Sequence, residues 1–346
     1  MYRTSISLKD IATKTGYSIK TVSRALNNHP DVNEKTKKLI LDIAEKYSYY
    51  PNLLAKSLRT KTTFTIGYIV PDITNEFFGK VGIVIERELR VRGYSLLVSF
   101  TEESEENEIN SLKLLLSKRV DGIVLATVGR TGEFLREVIH HFHVPVVVID
   151  NKEEGIKTNL VMHDNMKGAY VLTQHLIEHG HERIACITGP LSETSGRDRL
   201  RGYQSALTDH GIPFNEDLIE ASNWRIEGGY HATMNLLNRN TKEFSALFVC
   251  NSLMALGAYK ALKKMNLKIP QDVACVSFDN FDFSEVVDPP MTTLESVEEE
   301  VGRKASQILL EKIKDKDTDS VSEYLVQPKL CIRKSCGCEK MIYKEE

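Results

Sequence analysis

Seven side chains between positions 18 and 27 could do chemistry together: Ser18, Ile19, Lys20, Thr21, Ser23, Arg24 and Asn27. Val22, Ala25 and Leu26 recur at helical spacing and turn inward, so Ser18 caps a short helix and the other six residues share its outer face. Arginine and lysine match the O6 and N7 acceptors of guanine, while hydroxyls and a carboxamide suit phosphate oxygens. This is chemistry for reading double-stranded DNA. A second set is spread along the chain: Phe77, Phe78, Asp150, Ser195, Arg199, Trp224, Asn251 and Asp279. Carboxylates, a guanidinium and an amide can hold the vicinal hydroxyls of a sugar, and an aromatic ring can cover its C–H face. Taken singly, each has a plainer reading as a helix cap, a surface ion pair or core. Their shared position near strand ends points to a ligand.

The elements that must position the first set are short helices. Ser7-Leu8-Lys9-Asp10 reads as a capping box, and the helix it starts ends before Gly16, which supplies the positive φ of a tight turn. Ser18 begins the second helix. Asn33 begins a third, with Leu39, Ile40, Ile43, Ala44 and Tyr47 as its apolar stripe. Helix, glycine turn, helix, loop, helix is the helix-turn-helix order. A packing module without DNA could share that order, but would not need so many donors on one outer face. Charge agrees: residues 1–61 hold 12 Lys/Arg against 5 Asp/Glu, whereas the rest hold 33 against 43. A basic head on an acidic body suits a polyanion-binding module joined to something else.

The elements that must position the second set alternate between strand and helix. Strand-like runs at 65–70, 95–100, 122–126 and 146–149 are separated by helical stretches near 77–92, 105–118 and 131–142. A second series at 183–188, 246–249 and 273–278 has helices near 197–210, 227–239 and 252–265. Two such series predict two parallel-sheet lobes, and open α/β sheets bind ligands beyond the carboxyl ends of their strands. A helix over 297–314 returns the chain to the first lobe.

Several classes are excluded. No window holds the ~18 apolar residues of a membrane span, and the N-terminus lacks a signal-peptide core, so a cytoplasmic protein is expected. Neither GxGxxG, Walker A, GxSxG nor HExxH occurs, so no enzyme is expected. The six cysteines do not form a disulfide framework. Cys331, Cys336 and Cys338 cluster, but lack a fourth plausible ligand or a paired CxxC. No metal and no cofactor are expected.

Leu8-Lys9-Asp10-Ile11-Ala12, followed by Gly16-Tyr17-Ser18-Ile19-Lys20-Thr21-Val22-Ser23-Arg24-Ala25-Leu26-Asn27, resembles the head of the lactose-repressor (LacI/GalR) family. The likeness continues through Val32, Thr36 and Tyr50-Pro51-Asn52. It implies that Ile19, Lys20 and Arg24 choose the operator sequence, with Thr21, Ser23 and Asn27 as phosphate anchors. Residues 52–59 then correspond to a hinge helix that folds when two subunits meet on DNA. Asn52, Ala55 and Arg59 would lie at the DNA, and Leu58 would wedge between central base pairs. The body shares the landmarks Gly189-Pro190-Leu191, Met254-Ala255-Leu256-Gly257, Ile269-Pro270-Gln271-Asp272-Val273 and Pro290-Met291-Thr292-Thr293-Leu294. Asp150, Arg199, Trp224, Asn251 and Asp279 fall where the family binds effectors. Ala126, Ser252 and Ser296 depart from residues frequent there, which leaves the ligand's identity open.

The resemblance implies an all-α helix-turn-helix head (1–50), a hinge and tether (51–63), and a two-lobed α/β body of the type I periplasmic-binding-protein kind (64–346). Lobe 1 is expected over about 64–162 and 295–322, and lobe 2 over about 163–294 and 323–346. It implies a homodimeric transcriptional regulator, a repressor, on palindromic double-stranded operator DNA, with a sugar as effector. Two alternatives stay open: control by a phosphoprotein co-regulator, since 61–71 also resembles such members, and a solute-binding protein, for which residues 1–60 have no use.

Overall fold

The computed structural model of the protein describes residues 6–50, 57, 62–239, 244–315 and 320–338. The chain divides into two compact units, Met1–Thr63 and Phe64–Glu346.

In the first unit, α1 (Leu8–Thr15), α2 (Ile19–Leu26) and α3 (Glu34–Lys46) form because each has a built start. Ser7 and Asp10 make a reciprocal capping box, and Ser18 and Asn33 accept from the backbone N–H three residues on. Gly16 ends α1 at φ 72°, a conformation open to glycine at little cost. Ile11, Val22, Ala25, Val32, Ile40 and Ala44 are buried between the helices. The stripe expected along α3 is narrower than the spacing suggests: Leu39 is 43% and Tyr47 42% exposed. Three short helices enclose too little volume to cover a full stripe.

The second unit begins with β1 (Thr65–Val70), α4 (Glu76–Arg90), β2 (Ser95–Phe100), α5 (Glu105–Ser117), β3 (Gly122–Leu125), α6 (Gly132–His140), β4 (Val146–Ile149) and β5 (Asn159–His163). The chain then enters the other lobe through α7 (Asn165–Glu178), β6 (Ile184–Thr188), α8 (Thr194–Asp209), β7 (Ile219–Ala221), α9 (Ile226–Asn238), β8 (Ala246–Val249), α10 (Ser252–Lys264), β9 (Ala274–Ser277) and β10 (Thr293–Leu294). It returns with α11 (Glu298–Asp315) and β11 (Glu323–Val326), and β12 (Leu330–Cys331) crosses once more.

The first sheet has the order β11-β5-β4-β3-β1-β2 and the second β7-β6-β8-β9, with every pair in both parallel; β10 and β12 form a separate antiparallel pair. Strands such as Val146–Ile149 and Ala246–Val249 are buried throughout, as parallel strands covered on both faces must be. α11 packs beside α4 on the first lobe.

One lobe boundary differs from expectation. Residues 323–326 pair with β5 (Glu323↔Leu160 to Val326↔His163) and belong to the first lobe. The second lobe regains the chain only at β12, which pairs with β10. A strand's sequence shows that it wants a partner, not which sheet holds one. Three crossings therefore join the lobes, tied to one another by Asp164 N–H to Val326 O (3.0 Å) and Glu295 N–H to Lys329 O (2.7 Å).

Candidate functional site

On the first unit, α2 presents the expected face. Ser18, Ile19, Lys20 and Asn27 are exposed, and Thr21, Ser23 and Arg24 half-exposed. Ile19, an apolar residue left 48% in solvent, has no folding reason to be there. Ser18 is occupied in part as the cap, accepting from Thr21 N–H at 3.1 Å, and Asn27 donates to Ser23 O at 2.7 Å. Arg24 reaches Asp31, Nη1 to Oδ2 at 3.4 Å. That is a solvent-exposed pair of small worth, which an incoming guanine or phosphate can displace. Asn52, Ala55, Leu58 and Arg59 lie outside the described residues.

On the second unit, all eight expected effector residues line one cleft between the lobes. Each arrives at a strand's carboxyl end or a helix start. The loop after β1 leads through the cap Asn75 to Phe77 and Phe78, whose rings meet edge to face at 5.2 Å. Tyr68 on β1 pins this turn by donating to Phe78 O at 2.8 Å. Asp150 follows β4 with φ 65°, a left-handed conformation in which few non-glycine residues settle. Ser195 and Arg199 lie in α8, Asn251 caps α10, and Asp279 follows β9.

Arg199 is the hub. It is 5% exposed, donates from Nε to Asn165 Oδ1 at 2.8 Å and from Nη1 to Cys250 O, and lies 3.8 Å from Asp279. Its guanidinium stacks 3.7 Å from the centre of the Phe278 ring and 5.3 Å from that of Trp224. Trp224, itself at φ 62°, is held by its Nε1–H to Glu193 (2.8 Å) and by Asn251 Nδ2–H to its carbonyl (3.0 Å). Its ring fills the space where a Cβ on Gly189 would stand, within 1.9 Å of Cζ2, so position 189 must be glycine for the tryptophan to lie there.

Pro71, Asn75, Glu103, Thr127 and Glu193 also line the cleft and were not singled out from the sequence. The two glutamates sit in polar loops that read as solvated surface, and no spacing rule marks them. Their effect on the electrostatics is large. Four carboxyls (Glu103, Asp150, Glu193 and Asp279) share the lining with one cation, Arg199. Burial pushes Asp150 up to about 6, with Arg199 opposing and Asp279 reinforcing the rise. Burial also pushes Glu193 up to about 7, aided by Glu103, and raises Glu103 and Asp279.

The lobes are latched at the cleft's rim. Asn151 Oδ1 accepts from Thr194 N–H (2.9 Å) and Lys152 N–H donates to Thr194 Oγ1 (2.9 Å). Asp72 faces Arg225 at 3.5 Å, and Lys80 meets Asp282 at 2.5 Å.

The cysteines depart from expectation in one respect. Cys336 and Cys338 are buried, and His175, on α7, lies against them; the three ligand atoms are within 4.8 Å of one another. The histidine that the sequence could not supply comes from 163 positions away. Cys186, Cys250 and Cys275 are buried in the second lobe's core.

Comparison with known proteins bears on both units. Residues 7–52 match the family described as bacterial regulatory proteins, lacI family, and residues 63–334 that described as periplasmic binding proteins and sugar binding domain of LacI family. The HTH-type transcriptional repressor PurR of Pasteurella multocida (strain Pm70) is 32% identical over 330 residues, covering 95% of this chain and 98% of that protein. PurR of Actinobacillus pleuropneumoniae serotype 3 is 33% identical over 330 residues, with the same coverage. The Lac repressor dimer bound to operator and the anti-inducer ONPF has a TM-score of 0.85 at 25% identity, covering 96% of this chain and 99% of that one. A transcriptional regulator CelR–cellobiose complex has a TM-score of 0.72 at 27% identity, covering 95% and 99%. Among the described residues, no helix is long and apolar enough to cross a membrane.

Proposed function

We propose that this chain, which belongs to the LacI family of bacterial regulatory proteins, represses transcription from a palindromic operator and that a sugar in the inter-lobe cleft sets its affinity for that DNA. The observation that carries the effector half is the gathering of eight scattered residues, Phe77, Phe78, Asp150, Ser195, Arg199, Trp224, Asn251 and Asp279, into one cleft. Four carboxyls against one guanidinium disfavour an anionic effector, because a phosphate or carboxylate would add like charge to a partly buried acidic site. Neutral hydroxyls can donate to Asp150 and Asp279 and accept from Arg199, while Trp224 or Phe77 covers a C–H face. A phosphoprotein co-regulator would have no need of such an enclosed lining.

The walls favour a second reading, a planar nitrogen heterocycle stacked on Trp224 or Phe77 with its exocyclic N–H groups on the carboxyls. Calorimetric titration of the full-length protein separates the two, using neutral mono- and disaccharides, their phosphates and free nucleobases. The sugar reading expects saturable binding by one neutral sugar, and saturation by a nucleobase alone would replace it.

For the DNA half, the outer face of α2 supports base contacts by Ile19, Lys20 and Arg24 and phosphate contacts by Ser18, Thr21, Ser23 and Asn27. Asn52, Ala55, Leu58 and Arg59 are assigned to the minor groove by the resemblance alone. A homodimer follows from operator symmetry. Ile83 and Val91 by α4, and Val98 and Phe100 on the edge strand β2, leave large apolar side chains exposed on the body, in keeping with a covered face. The assembly acts where the DNA is, in the cytoplasm, and without catalysis.

A further inference from the structure

The segment after β12 is clamped to the second lobe before its cysteines begin. Ser335 exchanges bonds with Cys275 on β9: Cys275 N–H donates to Ser335 O at 2.8 Å, and Ser335 Oγ–H to Cys275 O at 2.5 Å. Thr292 N–H donates to Ser335 Oγ at 2.8 Å, and Arg333 Nη1 to Met291 O at 2.8 Å. In an extended chain, residues two apart point the same way but stand about 6.5 Å apart. Gly337, at φ 81°, turns the chain tightly and brings Cys336 Sγ to 3.0 Å from Cys338 Sγ. Nε2 of His175 lies 3.2 Å from Cys338 Sγ, and Thr292 Oγ1 lies 3.1 Å from Cys336 Sγ.

We propose that His175, Cys336 and Cys338 bind one zinc(II) ion, which staples the segment after β12 to helix α7. Two thiolates and an imidazole are a borderline-soft set suited to zinc. Bonds of about 2.3 Å to sulfur and about 2.0 Å to nitrogen place tetrahedral ligand atoms about 3.5–3.8 Å apart. The Cys336–Cys338 and Cys338–His175 pairs, at 3.0 and 3.2 Å, reach that spacing by opening about half an ångström, and all three ligand atoms already lie within 4.8 Å of one another. A neutral imidazole has a lone pair to give at Nε2. On binding, both thiol protons leave to solvent and the two thiolates balance the ion's charge. Cys338 and Gly337 also line a wide groove with Lys260, Lys263 and Lys334. It gives the ion a route in and leaves a fourth position to water.

The test uses the full-length protein, purified under reductant and stripped with chelator. Cobalt(II) serves as the optical probe, and zinc(II) then displaces it. One equivalent per chain is expected, with a thiolate-to-cobalt band scaled to two sulfurs and a zinc-dependent rise in melting temperature. Cys338→Ser and His175→Asn should each weaken binding more than about 100-fold and abolish that rise, while Cys331→Ser, on β12, changes neither. Cys336→Ser is the most buried of the changes, so the other two variants carry the test if it fails to fold. No stoichiometric zinc, binding that survives all three variants, copper(I) retained where zinc is not, or a Cys336–Cys338 disulfide persisting under reductant would each overturn the assignment.

Discussion

The face of α2 proposed to read DNA and the inter-lobe cleft solve opposite problems with different materials. α2 and its two caps keep seven polar or apolar contact residues along one short stretch, at least partly in solvent, with only local hydrogen bonds and the weak Arg24–Asp31 pair to occupy them. The cleft draws its lining from residue 71 to residue 279 and encloses four carboxyls around one stacked arginine. Two sets of acids titrate in opposite senses. Asp10 in the capping box of α1 is held below its ordinary value by hydrogen bonds from Ser7. Asp150 and Glu193 are held above theirs by burial. A surface reader can be built from side chains whose charges water already satisfies. A binding cleft stores unfavourable electrostatics that a ligand relieves.

The sharpest way to break that contrast is Arg199→Met. It leaves Cys250 O and Asn165 Oδ1 without this donor and Asp279 without its ion-pair partner, and should cost the body about 2–4 kcal/mol and remove effector binding. In calorimetry of the full-length protein, the transition of the body should fall while that of the helical unit stays in place. A shared fall of both would end the treatment of the two as separate units.

Gly189→Ala asks whether Trp224 is part of the site or only its wall. The new Cβ would stand within the indole ring, so the ring must leave its place, at about 1–3 kcal/mol of stability. Effector affinity should drop, and tryptophan fluorescence (Trp224 is the only one) should shift to the red. Unchanged affinity with shifted fluorescence would remove Trp224 from the binding site.

Arg24→Ala probes the other region. It should lose about 1–3 kcal/mol on a selected operator and relax choice at one half-site position, whereas Ser23→Ala should weaken all sequences alike. Competition against a randomised DNA pool measures both. Equal loss on every sequence for Arg24→Ala would turn it from a base reader into a phosphate anchor.

The smallest effect concerns protons. A carboxyl whose pKa is raised on folding stabilises the folded state at low pH, and that contribution fades as pH climbs through the folded value. For Asp150 and Glu193 the fading runs up to about 6 and about 7. Asp150→Asn should therefore raise the unliganded body's stability at about pH 8 and leave it nearly unchanged near pH 4. A polyol that donates to the ionised carboxylate should bind more tightly as pH rises through the same window, with proton release seen by calorimetry in buffers of different ionisation heat. Asp10 carries the opposite sign: its capping contribution is present at neutral pH and lost on acidification. A stability difference between Asp150→Asn and the parent protein that failed to grow between about pH 5 and pH 7 would contradict the burial of Asp150.

The sequence by itself determined what depends on neighbours along the chain. Ser7, Ser18 and Asn33 cap backbone groups three residues away, and Gly16 ends its own helix, so the head was legible from spacing alone. The alternation of buried strands and helices fixed the two-sheet class, and the rule that ligands sit beyond strand carboxyl ends found all eight cleft residues it named. Tertiary structure decided what depends on which elements meet. Glu103 and Glu193 look like solvated loop residues until the lobes close over them. Glu323–Val326 reads as a strand, but hydrogen bonding to Leu160–His163 is what puts it in the first sheet. Cys331, Cys336 and Cys338 show no further ligand nearby along the chain, and only the packing of α7 against the segment after β12 brings His175 to Cys336 and Cys338. Caps and turns are governed by forces that act over a few residues. Sheet order, crossings and burial are set by contacts between distant segments, and there the sequence supplies the partners without saying which of them pair.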